Sequence, residues 1–184
     1  MKYYLLFFII IYTFSSFAQK SNNDPNLVCW SQKRRLIIDD FQIKVANSTN
    51  SFSSAQFSYD YKISTFLSLS RDYKKQITNC FIKNASWIDT THNSEISVRY
   101  QQTLFDLSEI YIRQFRKFVY DNRKALVLGK IKIDDINAQI MNDLAKRKVE
   151  YGLDTSYGTI PDKQRNWEIK IFKEIEGLKE FSAE

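Results

Sequence analysis

The residues that most restrict the fold of this chain are Tyr100, Leu104, Leu107, Tyr111, Phe115 and Phe118, which recur at spacings of four, three, four, four and three. An α-helix closes a turn every ~3.6 residues, so these six side chains share one face. The recurrence predicts a long amphipathic helix over residues 94–123. A second helix is predicted over 134–150, with Ile133, Ile136, Ile140, Leu144 and Val149 facing inward. A third is opened by Thr159-Ile160-Pro161-Asp162, an N-cap Thr with an acid three residues on. It carries Trp167, Ile171, Ile175 and Leu178 inward.

Ahead of the helices the period is two. Ala55, Phe57, Tyr59, Tyr61 and Ile63 alternate with Ser54, Gln56, Ser58, Asp60 and Lys62, the pattern of a half-buried antiparallel strand. The run "RRLIIDDFQIKV" at 34–45 is apolar and β-branched and predicts another strand, closed by the polar loop "ANSTNSFSS". Residues 66–70 and 76–88 add one or two more. Strands followed by helices make an α+β arrangement, a small antiparallel sheet and then a long amphipathic helix with two further helices. There is no internal repeat, low-complexity tract or interior linker.

The first residues read as an export signal. Lys2 is followed by an apolar run over 3–12, and Ser16-Phe17-Ala18 places small residues at the third and first positions before a cut. A signal peptide over 1–18, a flexible arm over 19–30 and a single domain over 31–181 are expected. The apolar run is too short to span a bilayer, so no stable membrane insertion is expected after cleavage. The protein is then periplasmic or secreted. About 165 residues remain, enough for one compact domain.

Loss of Lys2 lowers the formal net charge of +6 by one. The basic residues are scattered (Arg34-Arg35, Lys74-Lys75, Arg113, Arg116-Lys117, 146–148) and interleaved with Asp106, Glu109, Asp121 and Glu150. That pattern reads as solvated helix faces and not as a nucleic-acid stripe. Cys29 and Cys80 are too few for a metal cage and form no CxxC pair. In an oxidising compartment they either form one bridge, worth about 4 kcal/mol on the chain-entropy model, or stay as two buried thiols. A bridge requires Cα atoms within about 7 Å.

Four fragments carry a resemblance: "RRLIIDDFQ", "FIKNASWID", "FDLSEIYIRQFRK", and "YGLDTSYGT" followed by Gln164 and Trp167. In this order, over 35–167, the chain resembles the bacterial family known as domain of unknown function 922, described as predicted secreted zinc-dependent proteases. The resemblance implies a zincin-like fold and a zinc-dependent peptidase. That family's central motif reads His-Glu-Gln-x-His-Phe-Asp and its later motif Thr-x-His-Gly. Aligned through Gln102, Phe105 and Asp106, the first His falls on Tyr100, the Glu on Gln101 and the second His on Leu104. Through Thr155 and Gly158, the later His falls on Tyr157. Ile38 and Ile43 stand where a Trp and a Gly are usual.

Those replacements remove the chemistry that the resemblance implies. Catalytic zinc needs three protein ligands and an open position for water, and His at i and i+4 on a helix supplies two of them. Leu104 has no donor atom, a tyrosine phenol titrates near ~10, and Gln101 cannot accept a proton from a zinc-bound water. No zinc and no other cofactor is therefore expected. The expected function is a catalytically inactive peptide- or protein-binding module. An active hydrolase (zinc peptidase) with a non-standard site is the alternative, and a structural domain without a ligand is a third reading.

His92, the single histidine, reads as a solvated or helix-capping loop residue. Asp106 and Glu109 beside Arg113 read as an ordinary charged face. No G-x-S-x-G, Cys/His pair or phosphate-binding glycine loop occurs among only four glycines. If the scaffold is that of the resemblance, Tyr157 must be carried onto the helix face that holds Tyr100 and Leu104.

Overall fold

The computed structural model describes residues 24–49, 51–61 and 73–184. The signal peptide over 1–18, the start of the arm over 19–23, Lys62 and Ile63 of the alternating strand, and the strand over 66–70 lie outside the described residues. Along the described chain run β1 (Leu27–Cys29), β2 (Ile43–Val45), β3 (Ser53–Ser54), β4 (Phe57–Tyr61), the single turn α1 (Tyr73–Gln76), β5 (Ile77–Ile82) and β6 (Trp87–Asp89). The helices α2 (Ser94–Val127), α3 (Ile133–Asp154) and α4 (Pro161–Gly177) follow. The fold is α+β.

The strands make two small sheets where one antiparallel sheet is expected from the sequence. In the first, β5 lies between β1 and β4 and both pairings are antiparallel. In the second, β6 lies between β2 and β3, parallel to β2 and antiparallel to β3. The β1–β5 register sets Cys29 opposite Cys80, and the two are bonded with Cα atoms 3.8 Å apart. Residues 27–29 are therefore a bridged strand, although the sequence places them in a flexible arm.

The run at 34–45 is not one strand. Arg34 pairs with the Asp40 carboxylate at 2.6 Å, and the same carboxylate accepts the Ile37 backbone N–H at 2.9 Å. This local bond competes with a ladder and folds Ile38–Asp40 into a 3-10 turn, leaving only β2 extended. Leu36 and Phe41 enter the core, while Ile37 and Ile43 stay exposed.

The helix α2 is buried on nearly every side. Tyr100, Leu107 and Ile110 join a cluster with Leu144, Tyr151, Trp167, Ile171 and Ile175 from α3 and α4. Phe105 faces Phe41, Phe81 and Ile88 of the sheet region, and Ile112, Phe115 and Val119 pack with Tyr73 and Ile77. A helix covered all round is a central element, not the one-faced helix that its strongest period predicts. On α3 the inward face runs through Ile136, Ile140, Leu144 and Tyr151, and Val149 is exposed. Five residues beyond Leu144 is about 140° round the helix, whereas the seven to Tyr151 return to the same face. Thr159 does not cap α4: its hydroxyl donates to the Ser156 carbonyl, and Ile160 holds the N-cap position ahead of Pro161. Among the described residues no helix is long and apolar enough to cross a membrane.

Candidate functional site

The end of α3 builds one wall of the site. The Tyr157 N–H donates to the Gly152 carbonyl at 2.8 Å and the Ser156 N–H to the Leu153 carbonyl at 3.2 Å, the bond pattern of a Schellman C-terminus. Ser156, at φ 46°, holds the left-handed position that glycine usually takes. Tyr157 follows at φ 56° and Gly158 at φ 87°. A non-glycine residue in this region costs about 1–3 kcal/mol, so Ser156 and Tyr157 store strain side by side.

That turn folds against Tyr100 on α2. Tyr151 stacks on the Tyr100 ring at 5.0 Å and 13°, and Tyr157 meets it edge-on at 6.1 Å. Gly158 is needed for this approach, and Gly152 keeps it close. A Cβ on Gly158 would lie 2.8 Å from the Tyr100 Cβ, and one on Gly152 would lie 3.0 Å from the Tyr100 hydroxyl. Leu104 packs against the same cluster. Tyr157 therefore does reach the helix face of Tyr100, as the sequence alignment requires.

The support beneath is polar and fully engaged. The Tyr151 hydroxyl donates to Gln164 Oε1 at 2.6 Å, and Gln164 Nε2 donates to the Thr103 hydroxyl at 2.9 Å. Thr155, fully buried, donates to the Tyr151 carbonyl and accepts the Gly158 N–H. Trp167 Nε1 donates to Asp154 at 2.9 Å. On the other side of α2, the Gln101 amide donates to Ser53 Oγ at 3.0 Å, while its Oε1 is buried with no partner among the described residues. Gln101 thus ties α2 to β3.

Between β3, the start of α2 and the α3–α4 turn lies a cleft of ≈ 660 Å³. Phe52, Ile96, Tyr100 and Tyr157 give it apolar surface, and Ser51, Ser53, Ser97, Ser156 and Thr159 give it hydroxyls. His92 and Asn93 complete it, and no acidic or basic side chain of Asp, Glu, Lys or Arg lines it. Its β-strand wall is an edge among the described residues, where β3 pairs with β6 alone. The Asp89 N–H donates to the Phe52 carbonyl at 2.8 Å, which makes Ser53 opposite Ile88 the alternate residue whose N–H and C=O face away from β6.

His92 is neither a helix cap nor a freely solvated residue. Asn93 caps α2 by accepting the Ile96 N–H at 3.3 Å, and His92 stacks on Phe52 at 4.6 Å. Its Nδ1 lies 3.2 Å from the fully buried Asp89 carboxylate. Hydrogen bonds to Asp89, led by the Thr91 hydroxyl and joined by the Ser48 and Thr91 amides, hold that carboxyl well below its ordinary range against the upward push of burial.

The zinc that the resemblance implies finds no fitting donors at these positions. Burial, reinforced by Tyr157, pushes the Tyr100 phenol up to about 12, so it stays protonated and is a poor ligand. Leu104 offers only carbon, and Gln101 is committed to Ser53. Among the described residues no group of three His, Cys, Asp or Glu side chains is placed to hold a metal ion.

Asp106 and Glu109 do not form a solvated face. Asp106 accepts from Trp30 Nε1, Gln102 Nε2 and Arg35 at 2.8–3.0 Å, and burial raises its pKa despite those donors. Glu109 is buried with Arg113 and Arg116, each 2% exposed. The residues that the sequence reading missed are Phe52, Ser53 and Ser156. For Ser156 the local signal was the doublet Tyr-Gly, present at 151–152 and again at 157–158 around it, whereas Phe52 and Ser53 lie in a polar run that carries no such signal. No family model matches the chain, and no curated protein or solved structure matches it either.

Proposed function

We propose that this protein is an exported, metal-free domain of the zinc-protease type it resembles, which holds an extended peptide in the cleft beside β3 and does not cleave it. The observation that carries this reading is the edge of β3, unpaired among the described residues, which runs along a cleft that no Asp, Glu, Lys or Arg of those residues lines, with the Ser53 N–H turned outward and its C=O on the same side accepting only the Ser51 hydroxyl. An edge of this kind adds a peptide strand through main-chain bonds, and alternate side chains of the peptide then enter pockets. The absence of a proton acceptor at Gln101 and of zinc donors at Tyr100, Leu104 and Tyr157 supports binding without hydrolysis. The partner is a peptide or an extended segment of another protein, and no cofactor takes part.

The test has two arms. Mature protein loaded with zinc and dialysed retains no stoichiometric metal; retention of about one ion per chain overturns the metal-free reading. Ser53→Pro removes the outward N–H, whereas Ser53→Ala keeps it. Heptapeptides of alternating threonine and valine bind the wild type and Ser53→Ala and fail to bind Ser53→Pro. Equal binding by Ser53→Pro sinks strand addition.

One observation favours the alternative of a hydrolase with a non-standard site. His92, held by the buried Asp89 behind it, lines the same cleft as several serine hydroxyls, the arrangement of an oriented general base. Turnover of a casein substrate by the purified protein, abolished by His92→Ala, establishes that reading in place of the first.

A further inference from the structure

Tyr157 is a poor residue for the backbone it occupies. A Schellman terminus requires one left-handed residue, and Ser156 supplies it. Tyr157 adds a second, at φ 56°, where glycine or asparagine would sit with less strain. Its ring repays this only in part, since it meets Tyr100 at 6.1 Å and passes beside Gly152 yet stays 65% exposed. A strained residue that leaves most of its ring in the open cleft is available to what enters from outside the chain.

What it meets is limited by the walls around it. Across the cleft stand Phe52, 39% exposed and stacked on His92, and Ile96, 36% exposed. Among the described residues no Asp, Glu, Lys or Arg lines the cleft, and the Asp89 carboxylate behind His92 already accepts from Ser48 and Thr91, so a charged group entering loses water and gains no free counter-charge. Aromatic and aliphatic groups gain contact area there without that cost.

We propose that Tyr157, with Phe52 and Ile96, forms a specificity pocket for one uncharged apolar side chain, aromatic or large aliphatic, of a peptide lying along β3. This rests on the strand-addition reading above and adds to it which side chain the cleft selects. Tyr157 acts by direct contact with the peptide.

The experiment uses the mature chain and the threonine–valine heptapeptides with phenylalanine, leucine, lysine or glutamate at the central position. The phenylalanine and leucine peptides bind at least about tenfold more tightly than the lysine and glutamate peptides, a difference of about 1.4 kcal/mol. Tyr157→Asn abolishes that preference while its urea midpoint is unchanged or higher, because asparagine accepts the left-handed backbone. Ile96→Ser, on the opposite wall, weakens the phenylalanine peptide and leaves the lysine peptide unchanged. Binding that ignores the central residue overturns the pocket and leaves strand addition standing. No binding of any heptapeptide overturns both. Retention of the preference in Tyr157→Asn, or its loss only together with a lower urea midpoint, overturns the role of Tyr157. Binding of chitotriose with no peptide binding overturns the peptide in favour of a sugar stacked on the ring.

Discussion

Lys148 has no carboxylate partner among the described residues. Its ammonium donates to the Tyr59 hydroxyl at 2.7 Å and lies over the Phe57 and Tyr59 rings at 4.8 and 5.2 Å. The Ser108 hydroxyl is committed to the Leu104 carbonyl, so Tyr59 must donate to Ser108, and its oxygen is left to receive Lys148. Burial lowers the Lys148 pKa from 10.5 to about 8. Between those values the unfolded chain holds more protons than the folded one, so stability rises with pH. We expect a rise of about 1 kcal/mol per pH unit from pH ~8 to ~10, absent in Lys148→Met, as read from urea unfolding at each pH. Above pH ~10 the slope reverses, because burial holds the Tyr59 and Tyr100 phenols up to about 12 and the folded chain then keeps the extra protons.

At the level of elements, α2 organises its neighbours through polar side chains as much as through apolar ones. Arg113 donates to Glu109 at 3.1 Å and to the Ile175 carbonyl at the end of α4. Arg116 donates to Glu109 at 2.8 Å and, through two nitrogens, to the Ile77 carbonyl that starts β5. It also reaches the Phe181 carbonyl at 3.1 Å, so one turn of α2 holds the first sheet and the last helix in register. Among the described residues Glu109 is the only carboxylate bonded to either guanidinium. Replacing it by Gln leaves two buried cations without a counter-charge and is expected to cost about 3–5 kcal/mol. Urea denaturation of Glu109→Gln checks this, and a loss under about 1 kcal/mol would show that the carbonyls alone suffice to hold the arginines.

For the molecule as a whole, the Cys29–Cys80 bridge ties β1 covalently to the buried strand β5 across a sequence separation of 51. It anchors β1, and the next residue, Trp30, then reaches Asp106 through its indole N–H and stacks under Arg113 at 4.9 Å. Reduction should therefore free the segment that pins the middle of α2 from the sheet side. The chain-entropy model gives a loss of about 4 kcal/mol, measured as the difference in unfolding free energy between oxidised protein and protein kept in reductant. Trp30 fluorescence should report loosening before the global transition, because its partners lie in the bridged segment.

The helices and the strand at 57–61 were legible because each advertises its own period, and period is a local property of the chain. That Leu104 cannot donate to a metal was legible for the same reason, because its side chain carries only carbon in any fold. Burial was not legible in this way. Arg113, Arg116 and Glu109 look like a solvated face, and become core only because the first sheet, β1 and the end of α4 close over that side of α2. The 34–45 run failed as a strand because the Asp40 carboxylate outbid the ladder for a backbone N–H, a competition that hydrophobicity does not register. The meeting of Tyr157 with Tyr100 lay between the two, foreseen from alignment of motifs but produced by the strained turn and by glycines at 152 and 158. Local pattern decides which segments are helix or strand. Which of their faces is dry depends on what the rest of the chain brings against them, and that is settled only when the whole molecule packs.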